Sequence, residues 1–278
     1  MQQDQISFTK FMLIFQLGMF MNVPLVSLIN SLILIKSSFP YIQETEEILL
    51  SKTQNSEFLL NDIQRITFTN VSFTYPEKKR TVLKDFNFVF ERGKKYLLIG
   101  ESGSGKTTLI KLLLGILSPS RGSILYNDTN QNKLMDHEIY HHCAVVPQQV
   151  YIFEDTVRRN IDLRGACTDE HLKDIIRQAK LEAFLTSNHY TMETEISNEA
   201  LQVSGGEKAR IGVARALTMN KSVVIYDEVL SALDSQNAKF IEELILSDTD
   251  KITIHIAHKS TPEYVELYDE VICLKISN

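Results

Sequence analysis

The segment Gly100-Glu-Ser-Gly-Ser-Gly-Lys106-Thr107 constrains this chain more than any other. It fits G-x(4)-G-K-[ST]. The apolar run Tyr96-Leu-Leu-Ile99 leads into it, and a helical pattern from Lys106 to Leu117 leads out. Glycines let a backbone wrap tightly, so that successive N–H groups point at phosphate oxygens. The start of the helix adds its dipole. In such a loop Lys106 reaches the β- and γ-phosphates, and the Thr107 hydroxyl holds Mg²⁺. The candidate nucleotide-binding positions are therefore Gly100, Glu101, Ser102, Gly103, Ser104, Gly105, Lys106, Thr107 and Thr108.

A site of this kind needs an acidic partner for the metal. Ser222-Val-Val-Ile-Tyr226 reads as a buried strand that ends in Asp227 and Glu228. Asp227 is expected to hold Mg²⁺ through water, and Glu228 to polarise the attacking water. A strand ending in a solvated acidic turn gives the same pattern, but the phosphate loop on the same chain disfavours that reading.

The hydrophobic share is 44% and the charged share 23%, enough apolar material for a core across 278 residues. A net charge of −6 disfavours a general nucleic-acid-binding surface. Cys143, Cys167 and Cys273 form no CxxC pair, which fits a reducing compartment rather than a disulfide scaffold. Strands are expected at Ile66–Tyr75, Phe86–Phe90, Lys95–Ile99, Gly122–Tyr126, Cys143–Val146, Ser222–Tyr226, Ile252–Ala257 and Val271–Leu274. Thr156–Asn220 reads as mostly helical. Strands alternating with helices predict an α/β sheet.

The N-terminal part differs in texture. From Phe11 to Ile35 no side chain is charged, with Lys10 and Lys36 as brackets. A bilayer core needs about 20 such residues in a helix. Gln16, Asn22, Pro24, Ser27, Asn30 and Ser31 interrupt the run, as suits a helix packed on other helices. A transmembrane or bundle-embedded helix is favoured over a secretory signal and over an apolar helix docked on the domain. Tyr41–Leu60, with Glu44, Glu46 and Glu47, reads as an amphipathic continuation and linker. The expected division is 1–60 for this part and 61–278 for the nucleotide-binding domain.

Val203-Ser-Gly-Gly-Glu207-Lys-Ala-Arg-Ile-Gly-Val-Ala-Arg-Ala-Leu217 resembles the signature segment of the ABC transporter ATPases, LSGGQ followed by a helix ending in ARAL. Further family elements are matched in order. Tyr75 stands where these proteins place an aromatic on the adenine. Gln148 matches the Q-loop glutamine, Ser231-Ala-Leu-Asp234 the D-loop, and His258 the switch histidine. The resemblance implies ATP with Mg²⁺, the latter held by Thr107, Gln148 and Asp227. Catalysis would fall to Glu228, His258, Lys106 and Gln148. It also implies an antiparallel β subdomain at Ile66–Phe90 and a helical subdomain at about Thr156–Asn220. Ser204, with Gly205, Gly206 and Glu207, would open a second anion-binding helix terminus. In the family that terminus faces the ATP of a partner, so the expected partner is a second ABC ATPase domain, identical or different, placed head to tail.

Phe20-Met-Asn-Val-Pro-Leu-Val-Ser-Leu-Ile-Asn30 resembles the last transmembrane helix of an ABC exporter, with bacteriocin and peptide exporters most similar. Ile196–Gln202 points the same way. The implied partners are transmembrane helices outside this chain and the membrane itself, with no nucleic acid. The implied location is the cell membrane, with the ATPase domain in the cytoplasm. Val203 and Glu207 replace the usual Leu and Gln, Val229-Leu230 replace Ala-Thr, and Thr194–Ala200 lacks the exporter form T-E-V-G-E-R-G. A nucleotide-binding remnant or regulator without turnover, and a soluble ATPase of the same superfamily, remain alternatives.

Among the remaining residues, His137, His141 and His142 are expected to be solvated, as is a hairpin at Lys78-Lys-Arg80. His255 and His258 lie three apart on a strand and so face opposite sides.

Overall fold

A computed structural model describes residues 12, 13, 15, 16, 19, 20, 60–76, 80–197, 203–257 and 265–275. The chain divides into two compact units, Met1–Asn55 and Ser56–Asn278. In the first, Met12, Leu13, Phe15, Gln16, Met19 and Phe20 have helical backbone and exposed side chains. Most of the expected membrane run lies outside the described residues. Among those described, no helix is long and apolar enough to cross a membrane. His258, the segment 198–202 and Lys78-Lys79 also lie outside them.

The second unit is built on two sheets. β1 (Arg65–Tyr75), β2 (Arg80–Glu91), β4 (Arg121–Tyr126) and β5 (Thr129–Asn130) form an antiparallel sheet in the order β2-β1-β4-β5. A parallel sheet has the order β11-β3-β10-β9-β6. Its strands are β3 (Lys95–Gly100), β6 (Cys143–Val146), β9 (Val223–Asp227), β10 (Ile252–Ala257) and β11 (Glu270–Leu274). A short pair, β7 (Asp155–Thr156) with β8 (Glu195–Ile196), stands apart.

The helices are α1 (Lys106–Leu113), α2 (Asp136–His142), α3 (Val157–Ile161), α4 (Asp169–Gln178), α5 (Glu182–Ser187), α6 (Gly205–Met219) and α7 (Ser235–Ser247). A parallel sheet covered on both faces needs strands that are apolar throughout. β9 meets this with Val223, Val224, Ile225 and Tyr226 all buried. Its alternation sorts them between two cores. Val223 and Ile225 join Phe68, Phe90, Tyr96 and Leu109, whereas Val224 and Tyr226 join Val146, Ile211, Val213 and Ile241.

Two of the expected elements shift by more than one residue. β2 begins at Arg80 rather than Phe86, because Asp85 at φ 46 and register shifts in β1–β2 pairing break the alternation without ending the strand. The Ser72 hydroxyl accepts from the Asp85 amide at 2.9 Å and steadies that irregularity. α1 stops at Leu113 rather than Leu117. Gly115 at φ 76 supplies the left-handed residue that closes a helix.

Candidate nucleotide site

β3 lies between β10 and β11, and its end delivers the chain into the glycine-rich loop. Gly103 and Gly105 take φ of 81 and 100, which L side chains rarely adopt. A Cβ on Gly105 would also stand 2.9 Å from the Val82 side chain. The loop folds over Lys106, whose residue is 7% exposed. Its ammonium donates to the carbonyls of Gly100 at 2.6 Å and Glu101 at 3.2 Å. Among the described residues it has no carboxylate partner. A buried cation held by neutral oxygens is suited to an anionic ligand.

The open face of the loop borders a cavity of about 360 Å³, lined by Tyr75, Arg80, Val82, Ser102, Gly103, Gly105, Lys106, Thr107, Thr108, Gln148 and Glu228. Residues from four separate segments thus meet. The Tyr75 ring packs edge-on against Phe73 at 4.9 Å, and its hydroxyl bonds the Thr108 hydroxyl at 3.2 Å. The end of β1 is thereby tied to the first turn of α1. A larger groove, about 530 Å³, runs past Arg65, Phe88, Asn127 and Glu270, and none of the motif residues lines it.

At the far wall, Glu228 follows the last residue of β9, Asp227. Glu228 sits at φ 52, an uncommon conformation for a side-chain-bearing residue. Surrounding bonds hold it there. Its amide donates to the Ile256 carbonyl at 3.1 Å, and its carbonyl accepts from the Ser231 amide and hydroxyl at 3.0 and 2.7 Å. The carboxylate accepts from Gln148 Nε2 at 2.8 Å. The loop after β6 and the loop after β9 therefore meet at these two side chains. Asp227 pairs with Ile256 across the sheet and does not itself line the cavity.

Other expected positions fall elsewhere. Gly100, Glu101 and Ser104 belong to the loop but not to the cavity wall. Ser104 is 2% exposed, and its hydroxyl lies beneath the loop, where a Cβ on Gly100 would meet it. Ser204, Gly205, Gly206 and Glu207 start α6, away from the cavity lining. Arg80 and Val82 line it although no motif marks them. Arg80 is Tyr75's partner across the strands, and Val82 is the residue that a register shift adds to β2.

The start of α6 explains the glutamate in the signature. Ser204 Oγ accepts from the Glu207 amide at 3.3 Å, and Glu207 Oε2 accepts from the Ser204 amide at 2.6 Å. This is a reciprocal capping box, whose third position takes Glu or Gln. The box does not engage the amides of Gly205 and Gly206.

A profile of the ABC transporter family matches residues 83–231. The chain belongs to the ABC transporter family. This ABC transporter chain is 33% identical over 217 residues to the ATP-dependent lipid A-core flippase of Bordetella avium (strain 197N), covering 76% of the chain and 36% of that protein. It is 30% identical over 237 residues to the Nisin transport ATP-binding protein NisT of Lactococcus lactis subsp. lactis, covering 82% and 39%. Its fold matches a solved bacterial Atm1-family ABC exporter with ATP bound, with a TM-score of 0.71 and 26% identity, covering 86% of this chain and 43% of that one. The ABC-type nucleotide-binding fold is thus shared. The chain spans under half the length of each of these proteins.

Two histidines of this ABC transporter chain are tied into its framework. The expectation of a solvated His142 is wrong: its side chain is 12% exposed. Its Nε2–H donates to the Leu60 carbonyl at 2.9 Å, and its Nδ1 lies 3.6 Å from Asp62. The segment entering the domain covers it. His137 is exposed, with 70% of its side chain accessible.

His255 is buried in β10, where its Nδ1 bonds the Tyr268 hydroxyl, which donates to Glu242 on α7 at 3.1 Å. Burial holds the His255 pKa down to about 4, whereas an unfolded histidine titrates near 6.5. The unfolded state then binds more protons between pH 6.5 and 4, so this contribution to stability is lost as pH falls through that window. Over the full window it amounts to about 3 kcal/mol. Burial raises the Glu242 pKa, which acts with the opposite sign and offsets part of the loss. His255→Asn is expected to flatten the acid side of a plot of urea midpoint against pH. Curves that stay parallel to wild type would contradict this.

Proposed function

We propose that the chain is the ATP-hydrolysing part of an ABC exporter. The observation that carries this reading is one cavity bordered by the buried ammonium of Lys106, the hydroxyl of Thr107 and the carboxylate of Glu228. Lys106 and the loop amides balance the charge of the triphosphate. Thr107, Gln148 and Asp227 would hold Mg²⁺, which when bound would neutralise charge on the phosphate oxygens. Glu228 orients the attacking water and takes up its proton, and His258 contacts the terminal phosphate. Gln148, already bonded to Glu228, sets the carboxylate's direction. Tyr75 offers its ring to the adenine.

The remaining parts of the proposal follow the family. Ser204, Gly205, Gly206 and Glu207 face the ATP of a second ABC ATPase domain, placed head to tail. Residues 61–278 form the ATP-binding domain, with a helical part at about 156–220. Residues 1–60 supply the last transmembrane helix of an exporter and its cytosolic extension. The protein then works at the cell membrane with the ATPase domain in the cytoplasm, alongside further transmembrane helices. The likeness to a nisin transport protein supports a peptide of bacteriocin type as cargo.

The test is the rate of Mg²⁺-dependent ATP hydrolysis against protein concentration in mild detergent. The specific rate is expected to climb with concentration, as for a catalytic unit completed by a second copy. A specific rate that stays flat, at the level of the Glu228→Gln variant, would remove the hydrolytic reading.

A further inference from the structure

Arg80 is exposed, yet it stands in the wall of the nucleotide cavity. Its position comes from strand register. Tyr75 and Arg80 are Cα partners across β1 and β2, next to the pair Thr74 and Thr81. Directly opposed residues of an antiparallel pair project to the same face, with Cβ atoms about 5 Å apart. The hydroxyls of Thr74 and Thr81 meet at 3.0 Å, as this register requires.

Along β2, a register shift makes Val82 an extra residue between Thr81 and Leu83, and Arg80 and Val82 both line the cavity. Val82 marks the phosphate end, since its side chain lies where a Cβ on Gly105 would fall. Arg80 stands two residues before Val82 on β2, paired with Tyr75. It therefore flanks the end of the cavity that holds the Tyr75 ring. Its charge is not committed elsewhere: among the described residues, no carboxylate lies within ion-pair distance. A planar cation beside a fixed aromatic ring is a platform for a flat, electron-rich ligand.

We propose that Arg80 is a nucleotide-binding residue that packs against the base bound at Tyr75. This rests on the reading of the cavity as an ATP site and adds a contact that the motifs do not contain. The base is held from two adjacent strand positions, one aromatic and one cationic. Arg80 does not serve the phosphate chain, which belongs to Lys106 and the loop.

The test is the dissociation constant of ATP, ADP and AMP, measured by calorimetry on the full chain in mild detergent. The proteins compared are wild type, Arg80→Ala, Arg80→Lys and Lys106→Ala. Arg80→Ala is expected to weaken all three nucleotides by the same factor, roughly 3- to 10-fold. Arg80→Lys keeps the charge and loses the plane, so it recovers only part of that loss. Lys106→Ala is expected to weaken ATP far more than AMP. Thermal midpoints of both Arg80 variants are expected to match wild type, as befits an exposed strand end.

A loss in Arg80→Ala that grows from AMP to ATP would put the guanidinium on the phosphates and overturn the assignment. Unchanged constants for all three nucleotides would overturn it as well, while leaving the ATP site intact. Wild type that fails to bind ATP, or binding that ignores Lys106→Ala, would overturn the ATP reading and this proposal together.

Discussion

If the chain hydrolyses ATP as proposed, Glu228→Gln is expected to lower hydrolysis by roughly 100-fold or more, with ATP binding within about twofold of wild type. The substitution keeps the volume and the hydrogen-bonding reach of the side chain, and removes its charge and its capacity to take a proton. Gln148 donates to Glu228 Oε2 at 2.8 Å, and a glutamine at 228 presents its carbonyl oxygen to the same donor. The backbone that fixes the residue at φ 52 is untouched, because those bonds run through its amide and carbonyl. Lys106 and the phosphate loop are untouched too. A calorimetric titration with ATP and a single-turnover hydrolysis assay separate the two effects. Hydrolysis at the wild-type rate would remove Glu228 from the mechanism.

Asn160→Ala is expected to destabilise the domain by about 3–5 kcal/mol. Asn160 is fully buried on α3. Its Oδ1 accepts from the Phe153 amide at 2.8 Å and from Arg215 at 3.0 Å. Its Nδ2 donates to the carbonyls of Phe153, Asp155 and Thr156 at 2.9, 3.2 and 3.1 Å. Truncation leaves a buried amide and several carbonyls without this partner, and each such orphan costs about 1–3 kcal/mol.

Arg215 adds to the loss. Burial lowers its pKa to about 10, and it is held by Asn160 and by the Tyr151 carbonyl at 2.7 Å. The same contacts shape the segment that presents the exposed rings of Tyr151 and Phe153, close in sequence to Gln148. The expected fall in thermal midpoint is roughly 10 °C for a domain of this size. Asn160→Asp, which keeps the acceptor and drops the donor, is expected to fall between. A shift under about 2 °C for the alanine variant would show that water replaces these bonds.

The phosphate loop was legible because its chemistry is local. Three glycines, a lysine and a threonine act through their own backbone and a helix that begins at once. Strand β9 was legible for a related reason. A parallel strand buried on both faces shows as an unbroken apolar run, and the structure shifts its bounds by one residue, to Val223–Asp227.

Helix α7 was not legible. Its buried face carries Ala238, Ile241 and Ile245 at helical spacing, but also Glu242, and a charge on the apolar face disguises the period. The partner that accommodates Glu242 is Tyr268, far along the chain. His142 failed in the same way, because its cover is Leu60 and Asp62 from the other end of the domain. The first half of β2 was hidden by Asp85, whose left-handed backbone is held by the Ser72 hydroxyl and the Asn87 side chain.

The sequence by itself determined the family, the phosphate loop, the acidic strand end and the alternation of strands and helices. These features depend on neighbours within a few residues, and local chemistry carries them. Tertiary structure alone decided what shares the cavity. It brings Gln148 to Glu228 across 80 residues and sets Arg80 opposite Tyr75 by strand register. It also ties Tyr75 to Thr108 and spends the carboxylate of Glu207 on its own helix cap. Such contacts join residues whose separation along the chain carries no signal, and only the packing of two sheets and their helices fixes the distance between them.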